Sequence, residues 1–214
     1  MEKFYNIEEQ RYWNKEESFT QDGNEWSERF GSTDSLYNQL LRDKVNLYCQ
    51  GDGLEIAPGW GRITEYLLPV SKSLSILDLN EVPVSKCVAK FGNRIKAYYV
   101  GDGKSLSAIN NISLDFVFSF DSFVHIHWNV FEEYIKEFSR VLKLDGYGVI
   151  HHAWFGGGED YSFKNLGGRA NLDLELLNKT LNDYGFEVIS QDTCNVSVWF
   201  DSLTDMITVF KKVR

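Results

Sequence analysis

The chain has 214 residues, of which 43% are hydrophobic and 25% charged, and its net charge is −9. These values are typical of one globular domain that can bury a sizeable core. The acidic balance argues against a nucleic-acid substrate, because the longest basic run is Lys211-Lys212 and phosphates need basic surface. No apolar run of about 18 residues and no signal-peptide pattern is present, so we expect no membrane span and a cytoplasmic location. The three scattered cysteines fit a reducing compartment and lack zinc-ligand spacing.

Two helical segments are predicted near residues 5–17 and 34–49, separated by a polar stretch that contains Trp26 and Phe30. We expect residues 1–50 to form a helical N-terminal cover on a core of residues 51–214. The whole chain would then be one domain, since no linker or internal repeat is visible.

A strand–loop–helix unit begins at Leu54, with Glu55 near the strand end, glycines in the loop and a helix over 61–69. Glycines let the backbone approach a ligand closely, and the helix N-terminus offers free N–H groups. The motif that binds nicotinamide dinucleotides has a third glycine at the position of Thr64. A sulfonium cofactor with a cationic amino-acid end would instead suit Glu55. A tight turn without a ligand remains the alternative for this segment.

The next two predicted strands, 73–78 and 95–100, also end at or near acids, which are Asp78 and Asp102. Asp78 lies roughly 20 residues beyond the glycine loop, where an acceptor for ribose hydroxyls is usual. Any one of these acids alone is more often a helix cap or a turn residue. Three acids at successive strand ends indicate a shared binding site.

Strands and helices alternate along the rest of the chain, which predicts a parallel sheet with helices on both faces. Helices are predicted over 82–91, 104–110, 129–142 and 172–184. The further strands are predicted over 114–120, 147–153, 186–193 and 205–211. A glycine-rich stretch over 156–168 is the one candidate for a mobile lid.

Five segments of the chain resemble the motifs of class I S-adenosylmethionine-dependent methyltransferases. They read LEIAPGWGR, LSILDLNE, YYVGDGKSL, LDFVFSFDSFVHI and SRVLKLDGYGVIHHAW. The sequence departs from the family pattern at Ala57, which replaces the first glycine, and at Leu144, which replaces a proline. The resemblance implies an α/β fold with a Rossmann-like, seven-stranded, mostly parallel sheet whose last strand is antiparallel. The Ala-Pro-Gly loop is similar to a subgroup that methylates hydroxyls of sugars and surface glycans.

The same resemblance implies S-adenosyl-L-methionine as cofactor and S-adenosyl-L-homocysteine as product. It places Glu55 near the cofactor amine, Gly59 and Gly61 against its backbone, Asp78 on ribose and Asp102 on adenine. The remaining expected cofactor contacts are Ala57, Leu79, Gly103 and Phe120.

All four histidines follow the fourth and fifth strands, at the sheet edge where ligands of open parallel sheets bind. The resemblance makes His125 the first candidate for a base that takes the acceptor's proton. His152 is second, because only one of two adjacent strand residues can face the cleft. Asp121 could orient a histidine or accept from the cofactor amine. Asp121, His125 and His152 lack the spacing of a known metal motif, so no metal is predicted.

The sequence thus predicts a methyltransferase acting on a hydroxyl of a sugar, a glycan or another small molecule. Trp26, Tyr161 and Trp199, with Phe200, could stack on such a substrate or simply pack. The alternatives are an N-methyltransferase, another adenosyl-cofactor enzyme such as an aminopropyl transferase, and a cofactor-binding protein without catalysis. The oligomeric state is open.

Overall fold

The structure is a computed structural model that describes residues 15, 19, 21–154, 169–170, 172–196 and 205–214. The helix predicted near 5–17 lies outside the described residues except at residue 15. The glycine-rich stretch over 156–168, Tyr161, Trp199 and Phe200 also lie outside them.

The strands form one sheet of seven, in the order β3-β2-β1-β4-β5-β7-β6. Their bounds are β1 Asp52–Ile56, β2 Ser73–Asp78, β3 Ala97–Val100, β4 Leu114–Phe123, β5 Leu142–Ala153, β6 Phe186–Cys194 and β7 Asp205–Lys212. β7 runs antiparallel to both of its neighbours, and the pairs among β1 to β5 are parallel. The predicted Rossmann-like sheet with an antiparallel last strand is therefore confirmed.

Five α-helices and two short 3₁₀-helices surround the sheet in the part of the chain that the structure describes. The α-helices are α1 (Thr33–Leu36, a π-helical stretch Tyr37–Leu41, and Arg42–Tyr48), α2 Thr64–Leu67, α3 Glu81–Phe91, α4 Trp128–Val141 and α5 Leu174–Asp183. The 3₁₀-helices are Asn24–Phe30 and Gly92–Arg94. No helix among the described residues is both long enough and apolar enough to span a membrane.

Each face of the sheet carries its own hydrophobic cluster. α4 and α5 pack on one face, where the buried side of α4 includes Phe131, Tyr134, Ile135 and Phe138 at helical spacing. Helices α1, α2 and α3 contribute to the cluster on the other face. The central strands are buried on both faces, which explains their nearly continuous apolar sequences.

The helix predicted over 104–110 is wrong: these residues form turns. The Asp102 carboxylate accepts from the backbone N–H groups of Lys104 and Ser105 and closes a local turn. The backbone N–H of Leu106 donates to Glu137 of α4 at 2.8 Å. Arg140 of α4 also donates to the Leu106 carbonyl oxygen at 2.8 Å. A side chain remote in sequence thus takes a carbonyl that a helix over 104–110 would pair with the N–H of residue 110.

Candidate active site

Glu55 lies in β1 between β2 and β4, and its side chain is almost fully buried. The Thr64 hydroxyl donates to Glu55 Oε2 at 2.6 Å. Thr64 therefore occupies the position of the third motif glycine, and its hydroxyl orients the Glu55 carboxylate. Burial raises the pKa of Glu55 from 4.5 to about 7. A cation brought beside this carboxyl would favour its ionised form, which is what the amino group of the predicted cofactor could do.

The loop after β1 has left-handed backbone at three positions, Ala57 (φ 56°), Gly59 (φ 56°) and Gly61 (φ 81°). Ala57 adopts it against the preference of a residue with a Cβ, and its N–H donates to Leu77 O at 2.7 Å. A Cβ on Gly61 would lie 2.3 Å from the ring of Phe91 in α3. Gly61 is therefore needed for helix packing, whereas Gly59 has no comparable contact with the core.

Asp78 ends β2, and its carboxylate is 5% exposed. It accepts from the backbone N–H of Asn80 at 2.9 Å and from the backbone of Gly59 and Leu79. Burial raises the pKa of Asp78 to about 7, although these hydrogen bonds oppose the shift. Asp78 thus ties the end of β2 to the glycine loop. Leu79 follows it and is half-buried.

Asp102 and Gly103 follow β3, at the same edge of the sheet. Asp102 is exposed, and its Oδ2 also accepts from the Ser105 hydroxyl at 2.8 Å. Gly103 is buried with φ 81°. Since β3, β2 and β1 are neighbours, the three predicted acids do lie at adjacent strand ends. The contact of Asp102 with adenine remains a prediction, because this carboxylate also accepts hydrogen bonds from Lys104 and Ser105 in the turn after β3.

Asp121 has a left-handed φ of 63° and lies where the pairing of β4 with β5 shifts register. Its carboxylate accepts from Arg62 Nη2 at 2.8 Å, and Arg62 Nη1 donates to Ser27 Oγ at 3.1 Å. Arg62 therefore connects the glycine loop, the end of β4 and the segment Asn24–Phe30. Trp26 belongs to that segment and is half-buried. The segment Asn24–Phe30 therefore contacts the predicted cofactor loop through Ser27.

His125 lies in the turn between β4 and α4, where its N–H donates to Ser122 O at 3.0 Å. His127 directly precedes α4. Both histidines are half-buried, whereas His151 and His152 are fully buried. His125 and His127 are therefore the histidines with solvent-accessible surface at this edge.

His152 is not placed to act as a base. Its Nδ1 lies 2.7 Å from the Ala153 carbonyl oxygen, so this nitrogen donates, and its Nε2 accepts from the Thr208 hydroxyl at 2.7 Å. Burial lowers the pKa of His152 to about 4. The ring is neutral but has no lone pair left for a substrate. We therefore withdraw the prediction that made His152 the second candidate.

His151 also has no access to the cleft. Its ring stacks on Phe120 with centroids 4.5 Å apart, and its Nδ1 accepts from the Asp121 N–H at 3.0 Å. Nδ1 is thus unprotonated, and Nε2 lies 3.6 Å from Asp205 Oδ2. The ring holds Asp121 in its left-handed conformation. Phe120, a predicted cofactor contact, is 7% exposed between His151 and Arg62.

A chain of polar contacts runs from Arg62 through Asp121 and His151 to the buried pair Asp205–Arg169, and of these residues sequence reasoning missed Arg62, Arg169 and Asp205. Arg169 makes a bidentate ion pair with Asp205, through contacts of 2.5 Å and 2.6 Å. Although burial opposes it, Arg169 and His151 hold the pKa of Asp205 well below its usual range. No local pattern reveals this chain, because its members come from separate elements. The position of Arg62 directly after the loop was the one available signal.

The described residues hold no group of three or more histidine, cysteine or acidic side chains suited to a metal ion. They do fit an adenosyl cofactor with a cationic amino-acid end. Gly59 has left-handed backbone with no side chain on the loop, and the carboxyls Glu55 and Asp78 lie at the ends of the two adjoining strands. The fold and this edge together define an α/β domain that binds a nucleoside-bearing cofactor.

Residues 54–150 match the model of a family described as a methyltransferase domain. The fold is shared with a protein from Galdieria sulphuraria assigned as a sarcosine dimethylglycine methyltransferase (19% identity, TM-score 0.65, 85% of each chain). It is also shared with a protein from Listeria monocytogenes assigned as an S-adenosylmethionine-dependent methyltransferase (14% identity, TM-score 0.65, 83% of this chain and 98% of that one). A methyltransferase-like protein from Bacillus halodurans has a TM-score of 0.63 at 16% identity, over 81% and 97% of the chains. No curated protein matches the sequence.

Residues 54–150 therefore match a methyltransferase domain, and the chain shares the fold of the methyltransferases above, as the sequence motifs predicted. S-adenosyl-L-methionine, for which the Listeria protein is named, is the cofactor that the sequence motifs imply.

Proposed function

We propose that the protein methylates a hydroxyl group of a sugar, a glycan or another small molecule, with His125 as the base. The observation that carries the proposal is the difference in exposure among the four histidines. His151 and His152 are sealed in the sheet, while His125 lies half-buried in the turn after β4, on the cofactor edge. His127 shares the turn and directly precedes α4 without a side-chain cap hydrogen bond, so it is the alternative base that must be compared with His125.

The bound cofactor supplies an electrophilic methyl group on a sulfonium. The chain's own residues then have two tasks. Glu55, Asp78 and Gly59 would hold the cofactor, with Asp102 expected near adenine, and the ends of β4 and β5 would then supply the acceptor side. His125 accepts the hydroxyl proton on its neutral imidazole as the oxygen attacks. Alignment of the hydroxyl with the methyl group supplies most of the rate enhancement.

Asp121 is expected to shape the acceptor side of the cleft. Its carboxylate is 18% exposed and is held by Arg62, and its N–H is held by His151. The Arg62 pairing supports a role in orienting neighbouring groups rather than in taking a proton. Trp26 in the cover, with Tyr161 and Trp199, is proposed to contact the acceptor.

The acidic chain supports a substrate other than nucleic acid, and we propose that the enzyme works in the cytoplasm. Amine methylation is the rival outcome. The Galdieria relative is named for sarcosine and dimethylglycine, but at 19% identity that likeness concerns the fold alone.

The acceptor can be found by incubating the enzyme with S-adenosylmethionine and a metabolite and glycan extract, followed by mass spectrometry. We expect a gain of about 14 daltons on a hydroxyl, the mass of a methyl group replacing a proton. A gain on an amine, or on RNA at low salt, would contradict the proposed acceptor.

His125→Ala is then compared with His127→Ala, which removes the same group from the same turn. We expect His125→Ala to lower kcat by about 10²- to 10⁴-fold and to remove the acidic limb of the pH profile. Affinity for S-adenosylhomocysteine should be unchanged in both variants, as measured by calorimetry. If His127→Ala lost the activity and His125→Ala kept it, the base would be misassigned.

A further inference from the structure

Phe19 lies directly on the glycine loop. Its ring stacks on Trp60, with centroids 5.1 Å apart and planes 20° from parallel. Its atoms Cε1 and Cζ are 3.3 Å and 3.6 Å from the point where a Cβ of residue 59 would lie. Among the described residues these are the atoms within 4 Å of that point. Phe19 therefore covers the one loop glycine that does not face the core.

The chemistry of the cofactor links this ring to the charged sulfur. In S-adenosylmethionine the sulfonium joins the amino-acid end to the ribose. Glu55 would hold the amino-acid end and Asp78 the ribose, and the backbone of Gly59 hydrogen-bonds to Asp78. With these two roles, the sulfonium would lie between Glu55 and Asp78, beside the part of the loop that Phe19 covers.

We propose that Phe19, held by Trp60, forms the wall of the cofactor site that faces the sulfonium, and that it makes the site prefer S-adenosylmethionine to S-adenosylhomocysteine. An onium ion is attracted to the face of an aromatic ring, because the ring quadrupole is negative there. S-adenosylhomocysteine carries a neutral thioether at the same position and gains nothing from this attraction. The inference rests on the cofactor and not on the proposed hydroxyl acceptor.

The two stacked rings have different roles in the proposed wall. Trp60 lies within the loop itself, and the Lys86 ammonium lies 4.5 Å from the centre of its ring. Phe19 comes from the N-terminal cover, which is also tied to the loop region by Arg62 and Ser27. Trp60 stacks on one face of Phe19 and so restrains the orientation of that ring beside Gly59.

The test is a calorimetric measurement of three ligands on the wild-type chain and on Phe19→Leu. The ligands are S-adenosylmethionine, S-adenosylhomocysteine and sinefungin, which carries an ammonium in place of the sulfonium. We expect Phe19→Leu to weaken both cationic ligands by about 3- to 20-fold. S-adenosylhomocysteine should bind within about twofold of wild type, because leucine preserves the apolar cover. Phe19→Tyr should restore the preference.

Equal weakening of all three ligands would show that Phe19 is a neutral apolar cover and would overturn the proposal. Unchanged affinities would overturn it as well. If wild type bound none of the three, the cofactor would be wrong along with this inference. A failure to find a hydroxyl acceptor, in contrast, would leave the ligand ratios untouched.

Discussion

The two buried carboxyls of the cofactor edge, Glu55 and Asp78, are the residues that should make the protein sensitive to pH. Both have pKa values raised to about 7 by burial, from ordinary values of 4.5 and 3.8. A raised carboxyl pKa means that the fold favours the protonated form. The stability from these groups is thus complete below about pH 4 and is lost as the pH rises through about 7.

We predict that the ligand-free wild type loses more stability than Glu55→Gln as the pH rises from about 4 to about 7, because His152, whose lowered pKa acts in the opposite direction, is common to both proteins. Glutamine can still accept from Thr64, so the variant removes the titration and keeps the hydrogen bond. The check is urea unfolding at several pH values. Asp102→Asn is the control: hydrogen bonds hold the pKa of Asp102 below 3.8 despite partial burial, so its effect lies at lower pH. Identical pH slopes for wild type and Glu55→Gln would contradict the prediction.

Residues at strand ends were easy to find from the sequence, and residues joined across the fold were not. Glu55 and Asp78 follow apolar strands, so their place at the sheet edge could be predicted. Arg62 could not be interpreted, because its partners Ser27 and Asp121 are distant in the chain. For the adjacent pair His151 and His152, alternation predicted one histidine in the cleft. Both are sealed because β5 is central and helices cover both of its faces.

Among the elements, the glycine loop and α3 show that two glycines of one motif have different tasks. Both have positive φ, so any side chain there is strained. Only Gly61 also faces a packed ring, that of Phe91. Sequence motifs give no sign of this difference, because the ring that needs the space belongs to the next helix.

We predict that Gly61→Ala lowers the free energy of unfolding by about 3 kcal/mol, the sum of backbone strain and overpacking. Gly31→Ala is the matched control, since its backbone is left-handed with φ 79° but nothing lies within 4 Å of a Cβ there. It should cost only about 1–2 kcal/mol of strain. The measurement is urea unfolding, and Phe91→Leu combined with Gly61→Ala should recover part of the loss. Equal costs for the two glycine variants would refute the packing role.

Secondary-structure elements were predicted well where the hydrophobic pattern of the sequence was strong. The amphipathic pattern predicted α4 to within a residue, and the seven strands were all present. The turns at 104–110 escaped prediction because Glu137 and Arg140 of α4 satisfy the backbone of Leu106 from across the fold. Such hydrogen bonds from a distant helix cannot be predicted from the local sequence, because they depend on which residues are neighbours in the fold.

At the scale of the whole molecule, the pair Arg169–Asp205 joins the residues after the glycine-rich stretch to the start of β7. Both side chains are almost completely buried. Removing one partner of such a pair leaves an uncompensated buried charge, whereas removing both leaves none.

We therefore predict that Arg169→Met and Asp205→Leu each destabilise the fold by about 3–5 kcal/mol, and that the double variant is more stable than either single variant. Thermal and urea unfolding of all four proteins completes the double-mutant cycle. Additive losses would show that the two side chains do not depend on each other. Lys179→Met and Asp183→Leu, which disrupt an exposed ion pair on α5, serve as a control with little expected effect.

Arg62 follows the glycine loop and donates to Ser27 in the segment Asn24–Phe30 and to Asp121 at the end of β4. The parts of this domain are consequently poor candidates for exchange one at a time. A chimera that borrowed residues 1–50 from a relative would need a hydroxyl at position 27. One that borrowed the end of β4 would need an acid at position 121. A change of substrate preference, whether by engineering or by evolution, must therefore preserve the contacts of the Arg62 guanidinium.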